Sequence, residues 1–148
     1  MASSAPSIEA LFAAIKNSDT ELVRSLLLAD KSLTSARHRD ASVGFPADIQ
    51  LDSYVYLGAY LGAVTALQLA VILGNDAIAK DILERTLKDD LDIQCGGGNT
   101  ALHLATFLGN VEVVKLLLEQ GANRQISNTK GYKPVDSTDS TELKTLFA

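Results

Sequence analysis

The chain has 148 residues, 47% hydrophobic and 21% charged, a balance that suits one globular domain or one short solenoid and excludes a disordered chain. Its formal charge of −5 argues against nucleic acid, where lysine and arginine must neutralise phosphates, and any steering field favours basic partners. The one cysteine, Cys95, leaves no internal disulfide and no cysteine zinc cluster, and it fits a reducing compartment, cytoplasmic or nuclear.

Residues 1–6 form a small-residue lead-in, and the first ten residues lack the basic start and apolar core of a secretory signal. Ser7 is placed to cap a first helix running to about Asn17, with Glu9 in its first turn near the positive helix end. Ser18 or Asp19 caps a second helix, which carries Leu22, Val23, Leu26 and Leu27 at helical spacing. Lys16, Asn17, Arg24 and Lys31 give this first pair a polar face.

Residues 37–63 then depart from the pattern. Ile49, Leu51, Val55 and Leu57 alternate with Asp48, Gln50, Asp52, Tyr54 and Tyr56, a period of two that suits a strand with one covered face. Asp52-Ser53 could turn it into a hairpin, and a short helix from Val55 to Leu61 is the competing reading. The apolar run from Tyr54 to Leu73 is about long enough to span hydrocarbon. Its flanks, however, carry Asp48, Asp52 and Asp76 instead of lysine or arginine, so no membrane span is expected.

Thr65-Ala66-Leu67-Gln68-Leu69-Ala70, with Gly74-Asn75 behind it, recurs 35 residues later as Thr100-Ala101-Leu102-His103-Leu104-Ala105 with Gly109-Asn110. Each copy reads as a capped short helix, a glycine break, and a second helix capped by asparagine; that second helix carries Ile78, Ala79, Ile82 and Leu83 in one copy and Val113, Val114, Leu116 and Leu117 in the other. Gly121 closes the later copy with a left-handed stop. Gly131-Tyr132-Lys133-Pro134-Val135-Asp136 begins another copy 33 residues after Gly98, and Asp139-Ser140-Thr141-Glu142 is a capping-box pattern ahead of Leu143, Leu146 and Phe147. Helix pairs of this kind cannot bury their apolar faces alone and must stack.

These motifs resemble the ankyrin repeat family, whose period is about 33 residues and whose signature is Thr-Pro-Leu-His-x-Ala. The resemblance implies an all-α solenoid with β-hairpin-like finger loops, in one domain spanning 1–148. Its first repeat covers about 8–36, the second about 64–97, the third about 98–130 and a truncated fourth about 131–148. The stretch at 37–63 is then an enlarged first finger, with about 23 residues beyond the usual period. The short fourth unit is either a capping half-repeat or the edge of a longer protein.

No catalytic or cofactor set emerges: there is no nucleophile elbow, no phosphate loop with its lysine, and no His-Glu-x-x-His. Gly96-Gly97-Gly98 lacks the following lysine of a phosphate cradle and is explained by a finger turn, tight or mobile at its tip. Cys95 has no cation close in sequence to activate it, and His38 has no second ligand for a metal. His103 is the obvious candidate for chemistry, but the resemblance implies that it bonds between neighbouring fingers, with Gln68 and Asp136 in the matching places.

The resemblance also puts Ile72-Leu73 and Phe107-Leu108 on the concave groove, where partners vary. Fully buried, four such side chains are worth on the order of 6–12 kcal/mol in gross transfer terms. Left bare they would mark a binding site. They are covered by the enlarged finger, by a partner, or by adjacent repeats. In the first case Tyr54 and Tyr56, with Asp48 and Asp52, become the new outer surface.

The implied function is a non-enzymatic protein–protein interaction scaffold, an adaptor or inhibitor, monomeric by itself. Tyr54, Tyr56, Ile72, Leu73, Phe107 and Leu108 are the expected apolar contacts, with Asp48, Asp52 and Asn99 at the rim. The alternatives are an N-terminal recognition module of a larger protein with its activity elsewhere, and a small-molecule site under the insertion between Tyr60 and Phe107.

Overall fold

Ser18, Gly74 and Gly109 all hold a positive φ, at 56°, 72° and 76°, and each reverses the chain between two short helices. In the computed structural model, which describes residues 7–39, 43, 45, 49, 55–58 and 62–147, these reversals separate α1 (Ile8–Lys16) from α2 (Thr20–Ala29), α3 (Ala66–Ile72) from α4 (Asp76–Glu84), and α5 (Ala101–Leu108) from α6 (Val111–Glu119). A 3-10 turn at Pro134–Ser137 and α7 (Thr141–Leu146) form a shorter fourth pair.

Helix starts follow local chemistry. Ser7, Asp19, Asn75, Asn110 and Ser140 each accept a hydrogen bond from a backbone N–H in the first turn that follows. Thr65 and Thr100 do the same, and the third residue of each helix, Gln68 or His103, bonds back to the threonine N–H, closing a reciprocal capping box.

The pairs stack in two layers. α1, α3, α5 and the Pro134–Ser137 turn pack side by side as the inner layer, and α2, α4, α6 and α7 as the outer one. The inner helices α3 and α5 are flanked on both sides and backed by their outer partners, so they are apolar nearly all round: every residue of α3 is buried, as are Ala101 to Thr106 of α5. Outer helices keep one wet face. Arg24 reaches from α2 to grip Asp81 of α4 with both ends of its fork, at 3.0 and 3.3 Å, and along the reversal edge Asn75 donates to Ser18 at 3.1 Å and Asn110 to Asp76. This is an all-α helical repeat solenoid with a core continuous from Leu11 to Leu143.

The fingers are short β-like turns. β1 (Arg37–Arg39) pairs antiparallel with β2 (Ala63–Thr65), Arg37 opposite Thr65 and Arg39 opposite Ala63, so the long insertion leaves and returns through a closed stem. A smaller bridge joins Cys95 to Asn99 across Gly96–Gly98.

Two expectations for the insertion change. Val55 and Tyr56 are helical and Leu57 lies in a turn, so among the described residues the strand reading fails and the helical alternative holds at its start. In a strand Val55 and Leu57 would share a face; here Val55 is 55% exposed while Leu57 is fully buried, because successive residues of a turn point to different sides. The run from Tyr54 to Leu73 is likewise divided, among its described residues, into this turn, β2 and α3. Among the described residues no helix is long and apolar enough to cross a membrane.

Candidate protein-binding surface

The last residues of the inner helices define the candidate surface. Ile72 ends α3 at 6% exposure and lies in the floor, whereas the next residue, Leu73, is 45% exposed. Leu73 sits between two open grooves on the reversal edge. One, of about 390 Å³, is lined by Ser18, Thr20, Gly74, Asn75 and Asp76; the other, of about 510 Å³, runs on to Leu108, Asn110 and Val111. Glu21, Asp76 and Glu112 stand in the first turns of the outer helices along this edge, where a carboxylate suits the helix end. Of the three, Asp76 lines both grooves, which are apolar at Leu73 and acidic beside it.

Phe107 and Leu108, in the matching places of α5, are half-buried. Phe45 of the insertion meets Phe107 edge-on with ring centroids 5.5 Å apart, and Tyr56 lies tilted against it at 6.3 Å. Tyr56 also packs on Tyr132 at 5.6 Å. At Phe107, then, the chain covers itself. Phe107 is one end of the span considered for a small-molecule site under the insertion; the other end, Tyr60, lies outside the described residues.

The polar anchors of this cover are Asn99 and Asn128. Asn99 was expected at an exposed rim and is instead fully buried; its Nδ2 donates to the Leu57 carbonyl at 2.6 Å and the Gly96 carbonyl at 3.2 Å. Asn128 donates through Nδ2 to the Tyr56 carbonyl at 2.7 Å and to Asn99 Oδ1 at 2.8 Å. Its own Oδ1 accepts from the backbone N–H groups of Lys130 and Tyr132, which fixes the amide. The triple glycine has its reason here: a Cβ on Gly97 would stand 2.5 Å from the Leu57 carbonyl oxygen, and its φ is 76°. Thr129 then closes the far side, donating to the Gly97 carbonyl from both its N–H and its hydroxyl.

Tyr56 thus points inward and Val55 outward, the reverse of the expected tyrosine outer face, because a helical turn presents them. Asp48, Asp52 and Tyr54 lie outside the described residues, as does Tyr60. The sequence reading missed Phe45, Gly97, Asn128 and Tyr132, and the only local signal for the polar pair was an asparagine in each of two successive fingers.

His103 is structural. Its Nδ1 accepts from the Thr100 N–H at 3.1 Å, so Nε2 carries the proton and donates to the Tyr132 carbonyl of the next finger at 2.9 Å. Burial holds its pKa below the ordinary 6.5, against the opposing pull of the Tyr132 carbonyl and Asp136. Gln68 makes the same two links one unit earlier, accepting from Thr65 N–H at 2.9 Å and donating to the Ile93 carbonyl at 2.6 Å. Among the described residues Asp136 makes only the local link, accepting from the Lys133 N–H at 2.9 Å. Burial pushes the Cys95 thiol up to about 11, which keeps it protonated at neutral pH and a poor nucleophile. Among the described residues no cluster of three or more histidine, cysteine or acidic side chains could hold a metal ion.

A family model described as ankyrin repeats (3 copies) matches residues 11–130. None of the curated proteins compared matches the chain in sequence. Among solved structures, a chain in the crystal structure of the yeast ribosomal protein Rps3 in complex with its chaperone Yar1 is similar over 98% of this chain and 91% of that one, with a TM-score of 0.67 and 18% identity. That likeness carries the fold.

Proposed function

The chain belongs to the ankyrin repeat family, and on that premise we propose that it is a protein–protein interaction scaffold, an adaptor or inhibitor with no chemistry of its own. The partner lies on the edge around Leu73 and Leu108 and on the neighbouring fingers. The observation that carries this reading is Leu73: a large aliphatic side chain, 45% exposed, between two open grooves, one of which runs on to its counterpart Leu108. Asp76 beside it, with Glu21 and Glu112 along the edge and a formal charge of −5, favours a basic partner segment that brings an apolar side chain between its cations.

The similar solved chain comes from a complex of a ribosomal protein with its chaperone, which supports holding another protein as the use of this architecture. On this reading the scaffold is a monomer when free and works in the cytoplasm or nucleus.

The test is affinity capture from cell extract with the intact chain and with a Leu73→Asp, Leu108→Asp double variant whose helicity is checked by circular dichroism. The intact chain should retain a discrete set of proteins, enriched in basic ones, that the variant does not. Identical retention by both removes this edge as the binding surface.

A further inference from the structure

Asn99 and Asn128 treat the Tyr56–Leu57 segment as they would a bound peptide. They donate side-chain amides to two successive backbone carbonyls, at 2.6 and 2.7 Å, and the same segment inserts one aliphatic side chain fully and lays one aromatic ring between Phe107 and Tyr132. The stem that closes the insertion lies elsewhere, in the pairing of Arg37–Arg39 with Ala63–Thr65, so the segment can leave its seat without opening the stem. Once it left, two buried amides would each lose one of two acceptors and Phe107 the ring of Tyr56, a state that favours refilling by any segment offering the same groups.

We propose that Gly97, Asn99, Phe107, Asn128 and Tyr132 form a peptide-binding cleft, filled in cis by Tyr56–Leu57, that accepts in trans a short segment with two consecutive free carbonyls on an aromatic–leucine pair. Gly97 sets the depth of the seat, since a Cβ there would stand 2.5 Å from the leucine carbonyl oxygen. The cleft is separate from the Leu73 edge, so it stands or falls independently of the scaffold reading given above.

The probe is a fluorescein-labelled synthetic peptide of residues 53–60, followed by fluorescence anisotropy against full-length chains. A Leu57→Asp chain, in which the segment no longer fits its apolar seat, should bind the peptide at least about tenfold more tightly than the intact chain, whose cleft is occupied. Adding Gly97→Ala to that chain should abolish binding, and a peptide with serine in place of Tyr56 and Leu57 should not bind. A folded Leu57→Asp chain that ignores the peptide, or binds the serine peptide equally well, overturns the proposal. Should that variant fail to fold, Leu57→Ala takes its place, with the same outcomes supporting or overturning the proposal.

Discussion

Two pairs of residues occupy the same register in successive repeats and end with opposite surroundings. Leu73 follows α3 and stands open between two grooves; Phe107, in the last turn of α5, is roofed by Phe45 and Tyr56. Register accounts for part of the contrast, since Phe107 matches the buried Ile72 and Leu73 matches the half-buried Leu108; a segment from a third place in the chain accounts for the rest, because it lands on Phe107 and leaves Leu73 bare.

The largest test of that contrast is truncation. Phe107→Ala removes the ring that two insertion aromatics rest on and should cost about 2–3 kcal/mol in urea unfolding, somewhat below the loss for a wholly buried phenylalanine. Leu73→Ala should cost no more than about 0.5 kcal/mol, as substitutions at open positions do. Equal losses would mean that the cover over Phe107 contributes no packing.

Next comes the polar anchor. Asn99→Ala leaves the Leu57 carbonyl and the Asn128 amide short of a partner in a buried place and should cost about 2 kcal/mol. Because Asn99 and Asn128 bond to each other, the double alanine variant should lose less than the sum of the single losses, by about 0.5–1 kcal/mol, measured as a double-mutant cycle. Strict additivity would show two independent tethers instead of one network.

These anchors also mark the limit of what the sequence reveals. The repeat register, the caps and the finger-bridging role of His103 depend on residues within a few positions or on one period, and each is legible from motif spacing. The insertion is not. Asn99 meets Leu57 across 42 residues and Asn128 meets Tyr56 across 72, and no local pattern encodes such a meeting. The alternation from Asp48 to Leu57 pointed to a strand because apolar residues at every second place are what a half-covered strand shows. At Val55 to Leu57 tertiary anchoring overrode that local signal. Asn99 was misplaced at a rim for the same reason: in a finger with no insertion above it, that asparagine would meet water.

The unit-to-unit contrast extends to pH. His103 and Gln68 bridge fingers at matching places, but only the histidine titrates. Its folded pKa is depressed by burial, so its stabilising contribution is complete above the unfolded value of 6.5 and is lost as pH falls below it toward the folded pKa. Stability should therefore decline between pH 7.5 and 5.5, with a slope no steeper than one proton allows, about 1.4 kcal/mol per pH unit. His103→Gln, borrowing the residue of the previous unit, should flatten that decline while changing stability at pH 7.5 by less than about 1 kcal/mol. Urea titrations of both chains across this range measure it, and a slope that survives the substitution would place the titrating group elsewhere.

The smallest expected effect on stability is the most informative about function. Leu73→Asp puts a charge on an open position beside Asp76, so the fold should lose no more than about 0.5 kcal/mol. A partner that uses this edge for an apolar side chain would then have to bury a carboxylate, and retention should collapse. Leu73→Lys separates the two components of recognition. It removes the same apolar contact and also opposes a basic partner through charge, so it should weaken capture more than Leu73→Ala, and high salt should restore only the charge part of that loss, up to the level of Leu73→Ala. Were Leu73→Asp instead to unfold the chain as readily as Phe107→Ala, the open and roofed ends would be alike, and the edge would belong to the core.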